Sequence, residues 1–219
     1  MAKVTIIEQV TKANDQIAAQ NQALLDRTKT VAVNLMASPG AGKTSVLMRT
    51  VEALRGKLAI GAIEGDTASQ VDADKVATTG VPVIQINTGG GCRLDANMLR
   101  PALDELPLDE IDLLLIENVG NLVCPAGLAL GEHVNVVIAS TPEGDDKPYK
   151  YPGMFLAVDA VVVNKVDLLP YLDFDVAAFQ DLIAGLNPKA RVFQVSCTTG
   201  EGFDAWTEWL IELCAKPAC

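Results

Sequence analysis

The segment that most constrains this chain is Ala37-Ser38-Pro39-Gly40-Ala41-Gly42-Lys43-Thr44, which directly follows the apolar run Val31–Met36. A strand feeding a glycine-rich turn that opens a helix is the setting of a phosphate-binding loop. Gly40 and Gly42 let backbone N–H groups point at a phosphate without obstruction by a Cβ, and the helix opening near Lys43 adds its positive end. Lys43 is expected to reach the β- and γ-phosphates and the Thr44 hydroxyl to hold Mg²⁺. Ser38, Pro39, Gly40, Ala41, Gly42, Lys43, Thr44 and Ser45 together form the expected phosphate-binding set. Ala37 stands where the first glycine of the pattern usually lies, a departure that costs little at negative φ. A glycine-rich turn without a ligand is the alternative, and the Gly-Lys-Thr ending after a strand favours a nucleoside triphosphate.

The base is read further along. Asp159–Asn164 is an apolar run that ends in Asn164-Lys165-Val166-Asp167, about 120 residues beyond the glycine-rich loop. A carboxylate at Asp167 can accept hydrogen bonds from both N1–H and the 2-amino group of guanine. Adenine has neither donor and would leave the carboxylate unpaired, at a cost of a few kcal/mol. Asn164 is expected to shape the base pocket and the Lys165 stem to lie over the base. Ser196 and Cys197, which follow the run Arg191–Val195, fit a further loop closing over it. GTP and GDP are therefore the expected nucleotides.

Composition narrows the class. With 219 residues and 49% hydrophobic content, the chain can bury a full core in one domain, expected to cover residues 1–219. No run is long and apolar enough to span a membrane, and no basic–apolar leader opens the sequence. A net charge of −11 argues against nucleic acid as a partner. Five cysteines without framework spacing read as reduced thiols or metal ligands, so a cytoplasmic location is expected.

The pattern along the chain is βα repeated. An amphipathic helix is expected at about 6–26, with Ile6, Val10, Ile17 and Leu24 on one face. Strands are expected at Val31–Met36, Leu58–Glu64, Val81–Ile86, Asp112–Glu117, Val134–Ser140, Ala160–Asn164 and Arg191–Val195. Helices are expected at Ser45–Leu54, Asp72–Thr78, Leu94–Leu106, Val176–Ala184 and from Gly202 to Cys214. In the last of these, Phe203, Trp206, Trp209, Leu210 and Leu213 recur at helical spacing and read as core. Continuously apolar strands belong to a mainly parallel sheet with helices on both faces. The expected fold is α/β, a P-loop NTPase with about seven strands.

Acidic residues at strand ends complete the phosphate chemistry. Asp66, in Glu64-Gly65-Asp66, and Glu117 are expected with Thr44 at Mg²⁺, and Gly120 can present its N–H to the γ-phosphate. Each taken singly could be a polar residue ending a strand in water. They stand, however, at the carboxyl ends of strands, where α/β sheets bind ligands. Lys43, Thr44, Asp66, Glu117 and Gly120 form the expected catalytic set.

Several segments together carry a resemblance to a known family. They are Ser38–Thr44, Glu64–Asp66, Thr88-Gly-Gly-Gly-Cys-Arg-Leu-Asp-Ala96, Glu117-Asn-Val-Gly-Asn-Leu-Val-Cys-Pro-Ala126, Glu143–Pro152, Asn164–Asp167 and Ser196–Gly202. Over nearly its whole length the chain resembles the hydrogenase nickel-incorporation accessory GTPases, HypB, relatives of the urease accessory GTPase. The resemblance implies a GTP-dependent homodimer that helps deliver nickel to the large subunit of [NiFe]-hydrogenase, alongside an accessory nickel protein. Because no obvious glutamine or arginine finger stands beside Glu117–Gly120, slow intrinsic hydrolysis is expected. It also places Lys147 and Lys150 in a segment that meets nucleotide across the dimer interface.

The metal site is where this sequence departs from the family pattern. The pattern has Cys-His after the glycines and a second Cys before Pro-Ala, binding nickel or zinc at the dimer interface. Here Cys92 and Cys124 are present, but Arg93 replaces the histidine. A guanidinium has no lone pair to donate and repels a divalent cation. A two-fold dimer could still supply four thiolates, enough for Zn²⁺ or Ni²⁺. His133, the only histidine, is expected to be a packed or surface residue and not a ligand, and no nickel-storage tract is expected. Cys197 is expected near the base, while Cys214 and Cys219 carry no signal. Three readings share these residues: an accessory GTPase, a metal carrier with a non-hydrolysing nucleotide site, and a partitioning-type dimeric ATPase. Intact Lys43, Thr44 and Asp167 favour the first.

Overall fold

Runs of β-branched and aliphatic residues form seven strands: β1 (Val31–Ala37), β2 (Ile60–Asp66), β3 (Val83–Asn87), β4 (Leu113–Glu117), β5 (Val134–Ser140), β6 (Ala160–Asn164) and β7 (Arg191–Gln194). The structure is a computed structural model and describes residues 9–67 and 69–215. All pairings are parallel, and the sheet order is β3-β2-β4-β1-β5-β6-β7. The helices are α1 (Gln9–Thr28), α2 (Lys43–Leu54), α3 (Val71–Ala77), α4 (Ala96–Glu105), α5 (Lys147–Lys150), α6 (Pro152–Leu156), α7 (Val176–Leu186) and α8 (Phe203–Ala215). The fold is thus the expected P-loop NTPase class. Residues 6–8 of the expected first helix lie outside the described residues.

Small boundary shifts have local causes. Leu58, expected to open β2, instead donates its N–H back to the Leu54 carbonyl at 3.2 Å, so it closes α2 and the strand begins at Ile60. Leu94 and Asp95, expected inside α4, precede it. Asp95 is the N-cap, its carboxylate accepting the Met98 N–H at 2.8 Å.

The sheet separates the core into two faces. Alternate residues of the central strands, such as Val33, Leu35, Leu115 and Val136, pack under α2, α3 and α8. On the other face Ala32, Ile63, Leu114 and Ile116 meet α1 and α4, while Val137, Ala139, Val161 and Val163 meet α6 and α7. Burial on both sides is why β4 and β6 read as unbroken apolar runs. The connection leaving β1 runs toward β2 and that leaving β5 runs toward β6, so the chain diverges between these neighbouring strands. Ligands bind at such a divergence, outside the carboxyl ends.

The aromatic residues of α8 are core, as their spacing implied. Trp206 is fully buried against Phe193 and Trp209, with ring centroids 5.4 Å away in each case. Its indole N–H donates to the Thr50 hydroxyl at 2.9 Å, and that hydroxyl donates to the Val46 carbonyl at 2.7 Å. Thr50→Val keeps the shape but strands the buried indole N–H, so it should cost about 1–3 kcal/mol. Urea unfolding should show a lower midpoint at unchanged slope. Trp206→Phe should cost less in the Thr50→Val background than in the native chain, because its hydrogen bond is already gone.

Candidate functional site

The glycine-rich loop leaves β1 in a conformation that its sequence makes possible. Gly40 and Gly42 lie at φ 82° and 98°. A Cβ on Gly42 would stand 2.5 Å from the Asn164 amide nitrogen, so both backbone angle and space exclude a side chain there. Gly42 caps α2 without a side-chain acceptor, which leaves first-turn N–H groups available to an anion. The loop borders a cleft of about 490 Å³ that also includes Ser45, Asp66, Thr67, Asp72, Lys75 and residues 117–120. Gly120 lies against Lys43 and Pro39, where a Cβ would come within 3.4 Å of each.

Two carboxylates meet at the floor of this cleft. Glu117 closes β4 at 5% exposure, with its Oε1 accepting the Thr44 hydroxyl at 2.9 Å and lying 3.8 Å from Lys43 Nζ. Glu64 on β2 is its cross-strand partner in register and is 3% exposed. Burial, then the neighbouring Glu117 charge, pushes the Glu64 carboxyl up to about 10. Burial also raises Glu117, opposed by Lys43 and by hydrogen bonds from Thr44 and Glu64. Glu64 is therefore the protonated donor and Glu117 the acceptor. Glu64 Oε1 and Glu117 Oε2 are buried without a hydrogen-bond partner among the described residues. Orphaned carboxylate oxygens beside a threonine hydroxyl fit a hard cation such as Mg²⁺. Asp66 lies at the rim and accepts the Thr67 hydroxyl at 3.1 Å and the Ser69 N–H at 3.3 Å. Sequence reading did not single out Glu64 for the site. The available signal was two acidic strand ends on strands that proved adjacent.

The expected base-binding residues gather on the far side of the loop. The Asn164 amide donates to the Ala41 carbonyl at 3.0 Å, and Lys165, at φ 64°, donates to the Gly40 carbonyl at 2.7 Å. Ser196 donates to Asp167 at 2.6 Å, which orients that carboxylate, and Cys197 donates to Asn164 at 3.3 Å. Burial pushes the Cys197 thiol up to about 11. The 196–202 loop closes at Gly202, where a Cβ would fall 1.8 Å from the Gln194 carbonyl oxygen. Glu143 fastens the other end of the phosphate loop. It accepts from the Ser38 hydroxyl and from the Ser140 N–H and hydroxyl, and it pairs with Lys147 at 3.3 Å. Lys150 pairs with Asp146 at 2.5 Å, so both lysines have acidic neighbours within the chain.

Cys92 and Cys124, 32 positions apart in sequence, are brought into one neighbourhood. The Cys92 thiol, then partial burial, raises the Cys124 thiol, while Arg93 and Asn121 oppose the shift. Asn121 donates its amide to Cys124 Sγ at 3.4 Å, and Arg93 donates to the Cys124 carbonyl at 2.6 Å. The thiol pair is tied to the phosphate cleft through Asn118, whose Oδ1 accepts the Leu94 N–H at 3.0 Å. The Asn118 amide donates to Asn34, and Asn34 donates to Asn135, a polar line that runs from the end of β4 across β1 to β5. His133 accepts the Ala32 N–H at Nδ1 (3.0 Å) and holds Asp26 through Nε2 (3.0 Å). An N–H can only donate, so Nδ1 is unprotonated and both ring nitrogens are engaged. His133 is half-buried, held by these two contacts.

Residues 31–194 match the CobW/HypB/UreG nucleotide-binding domain family. The chain is 47% identical over 197 residues to the hydrogenase maturation factor HypB of Escherichia coli K12, covering 90% of this chain and 68% of that protein. The crystal structure of the hydrogenase maturation factor HypB from Archaeoglobus fulgidus superposes with a TM-score of 0.87 at 38% identity, over 93% of this chain and 99% of that one. The chain belongs to the HypB family. A second HypB structure, from Helicobacter pylori in complex with nickel, gives a TM-score of 0.88 at 36% identity, over 92% of this chain and 95% of that one.

Against this family the donor set at the thiol pair is sparse. Among the described residues no group of three or more His, Cys, Asp or Glu side chains could hold a metal ion. Cys92 and Cys124 supply two donors, and the position beside Cys92 is filled by a cation. One chain by itself does not complete a four-donor site for nickel or zinc.

The carboxyl pair carries a pH signature. Glu64 holds its proton up to about pH 10 when folded, against an ordinary value of 4.5. Between these values the metal-free folded chain binds more protons than the unfolded chain, so this group's contribution to stability falls as pH rises. Glu64→Gln imitates the protonated acid and removes the slope. In chelator, between pH 6 and 8, the native chain should lose up to about 2–3 kcal/mol more than the variant, a proton being worth about 1.4 kcal/mol per pH unit. Parallel urea curves for the two proteins would show that Glu64 is not the titrating group.

Proposed function

We propose that this chain is a GTP-hydrolysing accessory protein of hydrogenase maturation. Its family membership supports the maturation role, since the E. coli and A. fulgidus relatives carry that description. The nucleotide identity rests on one observation above the others. Asp167 is held by Ser196 beside Asn164 and Lys165, and these two residues are hydrogen-bonded to the glycine-rich loop. A carboxylate positioned in this way selects the paired donors of guanine.

In this reading Lys43 and the first-turn N–H groups of α2 bind the β- and γ-phosphates. Thr44 and Glu117, with Asp66 at the rim, would hold Mg²⁺, which would offset phosphate charge. Gly120 offers its N–H to the γ-phosphate. No arginine or glutamine lies in the cleft lining beside Glu117, which supports slow turnover by the protein alone. GTP favours a homodimer in which two copies of Cys92 and Cys124 present four thiolates to nickel or zinc. Asn118 is the direct bridge through which the phosphate side reaches the thiol side. The protein acts in the cytoplasm, with an accessory nickel protein and the hydrogenase large subunit as partners, and with neither nucleic acid nor membrane. Among the described residues no helix is long and apolar enough to cross a membrane.

The base assignment predicts that GTP and GDP bind at least roughly tenfold tighter than ATP, about 1.4 kcal/mol. Asp167→Asn should shift preference toward xanthosine nucleotides, whose 2-position offers a carbonyl. Competition binding that ranks ATP with GTP would refute it.

Hydrolysis should be slow and should vanish in Lys43→Ala. A GTP analogue should raise the dimer fraction, because a ligand that prefers one association state must populate that state. Sedimentation with analogue, with GDP and without nucleotide separates the outcomes. An identical monomer fraction in all three would remove nucleotide-controlled assembly.

A further inference from the structure

The carboxylate that faces the base is oriented by a turn centred on Ser196. The Ser196 hydroxyl accepts the Thr199 N–H at 3.1 Å and donates to Asp167 at 2.6 Å, so its proton is committed to the carboxylate. The Ser196 carbonyl accepts the Gly200 N–H at 2.8 Å, and the Ser196 N–H donates to the Glu201 carbonyl at 3.0 Å. A shift of Gly200 or Glu201 therefore moves the hydroxyl that aims Asp167.

What opposes such a shift comes from α2, the helix that also carries Lys43 and Thr44. Arg49 Nη1 donates to Glu52 Oε2, one turn further along, at 2.6 Å. The other end of the guanidinium fills the space over Gly200, where a Cβ would stand 2.5 Å from Nη2 and 3.6 Å from Cζ. Gly200 lies at φ 83°, so the backbone angle also favours glycine there. A rigid fork can address Glu52 and Gly200 at once, which a single ammonium cannot. The ion pair is solvent-exposed and by itself adds little stability, so its effect is one of placement. At the next residue, Thr50 holds the indole of Trp206 at 2.9 Å. Consecutive residues of α2 therefore grip the 196–202 loop and the helix that follows it.

We propose that Arg49 is a positioning residue for guanine recognition: its guanidinium, laid over Gly200, holds the 196–202 loop so that Ser196 aims Asp167 at the base. The proposal rests on the guanine reading given above and adds a residue that never touches the nucleotide. Through Arg49, the helix whose first turn meets the phosphates also steadies the residues that meet the base. Loss of the arginine lowers the fraction of chains with the loop closed, and the apparent affinity for guanine nucleotides falls with that fraction. The phosphate loop is held separately, by Glu143, Asn164, Lys165 and Glu117, and keeps its geometry.

The test measures binding of GTP, ATP and inorganic tripolyphosphate to the full chain by calorimetry with Mg²⁺ present. Tripolyphosphate reports the phosphate side alone. Arg49→Ala should weaken GTP about tenfold, the result of a closed fraction reduced to about a tenth. ATP and tripolyphosphate should keep their affinities, so the preference for GTP over ATP falls by the same factor. Gly200→Ala should also weaken GTP, because the added methyl displaces the guanidinium. It should cost less GTP affinity once Arg49 is already alanine, since that displacement has then been made. Equal weakening of all three ligands would overturn the proposal and make Arg49 a support of the fold. So would an unchanged preference for GTP over ATP in Arg49→Ala, or strictly additive losses in the double variant. A native chain that binds ATP as tightly as GTP would instead remove the base assignment, and the role of Arg49 with it.

Discussion

A carboxylate buried at the end of a central strand is tolerable only if its surroundings supply charge and hydrogen bonds, since removal from water costs several kcal/mol. Glu117 meets that condition with Lys43 and Thr44, both in the first turn of α2. The requirement works in both directions. Lys43 is itself only 9% exposed, so it too depends on a partner. Their mutual need fastens the glycine-rich loop to β4 before any ligand arrives, and the helix N-terminus is thereby aimed across the carboxyl edge of the sheet. The remaining oxygens of Glu117 and Glu64 stay short of partners, which is the condition of a site built for a further positive charge.

What sequence could reveal followed the contiguity of the signal. Strands such as Leu113–Glu117 and Ala160–Asn164 were legible because burial on both faces leaves continuous apolar runs. Ser38–Thr44 and Asn164–Asp167 were legible because each keeps its chemistry within a few residues. The Glu64–Glu117 pair was not, because it exists only through the register of β2 on β4, and register is a property of the sheet. Asn34, Asn118 and Asn135 escaped for the same reason. Each looks like an isolated polar residue until strand order aligns them. Glu143 lay inside a recognised segment, but its grip on Ser38 needed the fold to bring β5 beside β1.

The arginine beside Cys92 changes what the thiol loops can do without changing how they are built. Its guanidinium acts as a tether, since it reaches the Cys124 carbonyl and joins the two loops through protein contacts alone. The α1 helix adds a second join. Asn14 accepts the Ala96 N–H at 3.0 Å and donates to the Ala129 carbonyl at 2.8 Å, while Asn21 donates to the Ala96 and Leu130 carbonyls, each at 2.9 Å. The segments that follow the two cysteines are therefore fastened to the same helix.

These fastenings restrict where a nucleotide signal can travel. Ser38 is held by Glu143 after β5, Gly40 and Ala41 by the residues ending β6, and Lys43 and Thr44 by Glu117 on β4. A loop held from three strands offers little movement of its own, so under the proposed function a γ-phosphate would act on groups that border it from outside. Residues 118–124 are such a segment. They begin at the cleft, carry Asn118 with its bond to the Cys92 side, and end at Cys124. A shift of Gly120 toward a phosphate would pull on Asn118 and Asn121 together, the first holding the Leu94 N–H and the second the Cys124 sulfur. Both thiols would feel the same displacement through hydrogen bonds, with no long-range rearrangement of the sheet.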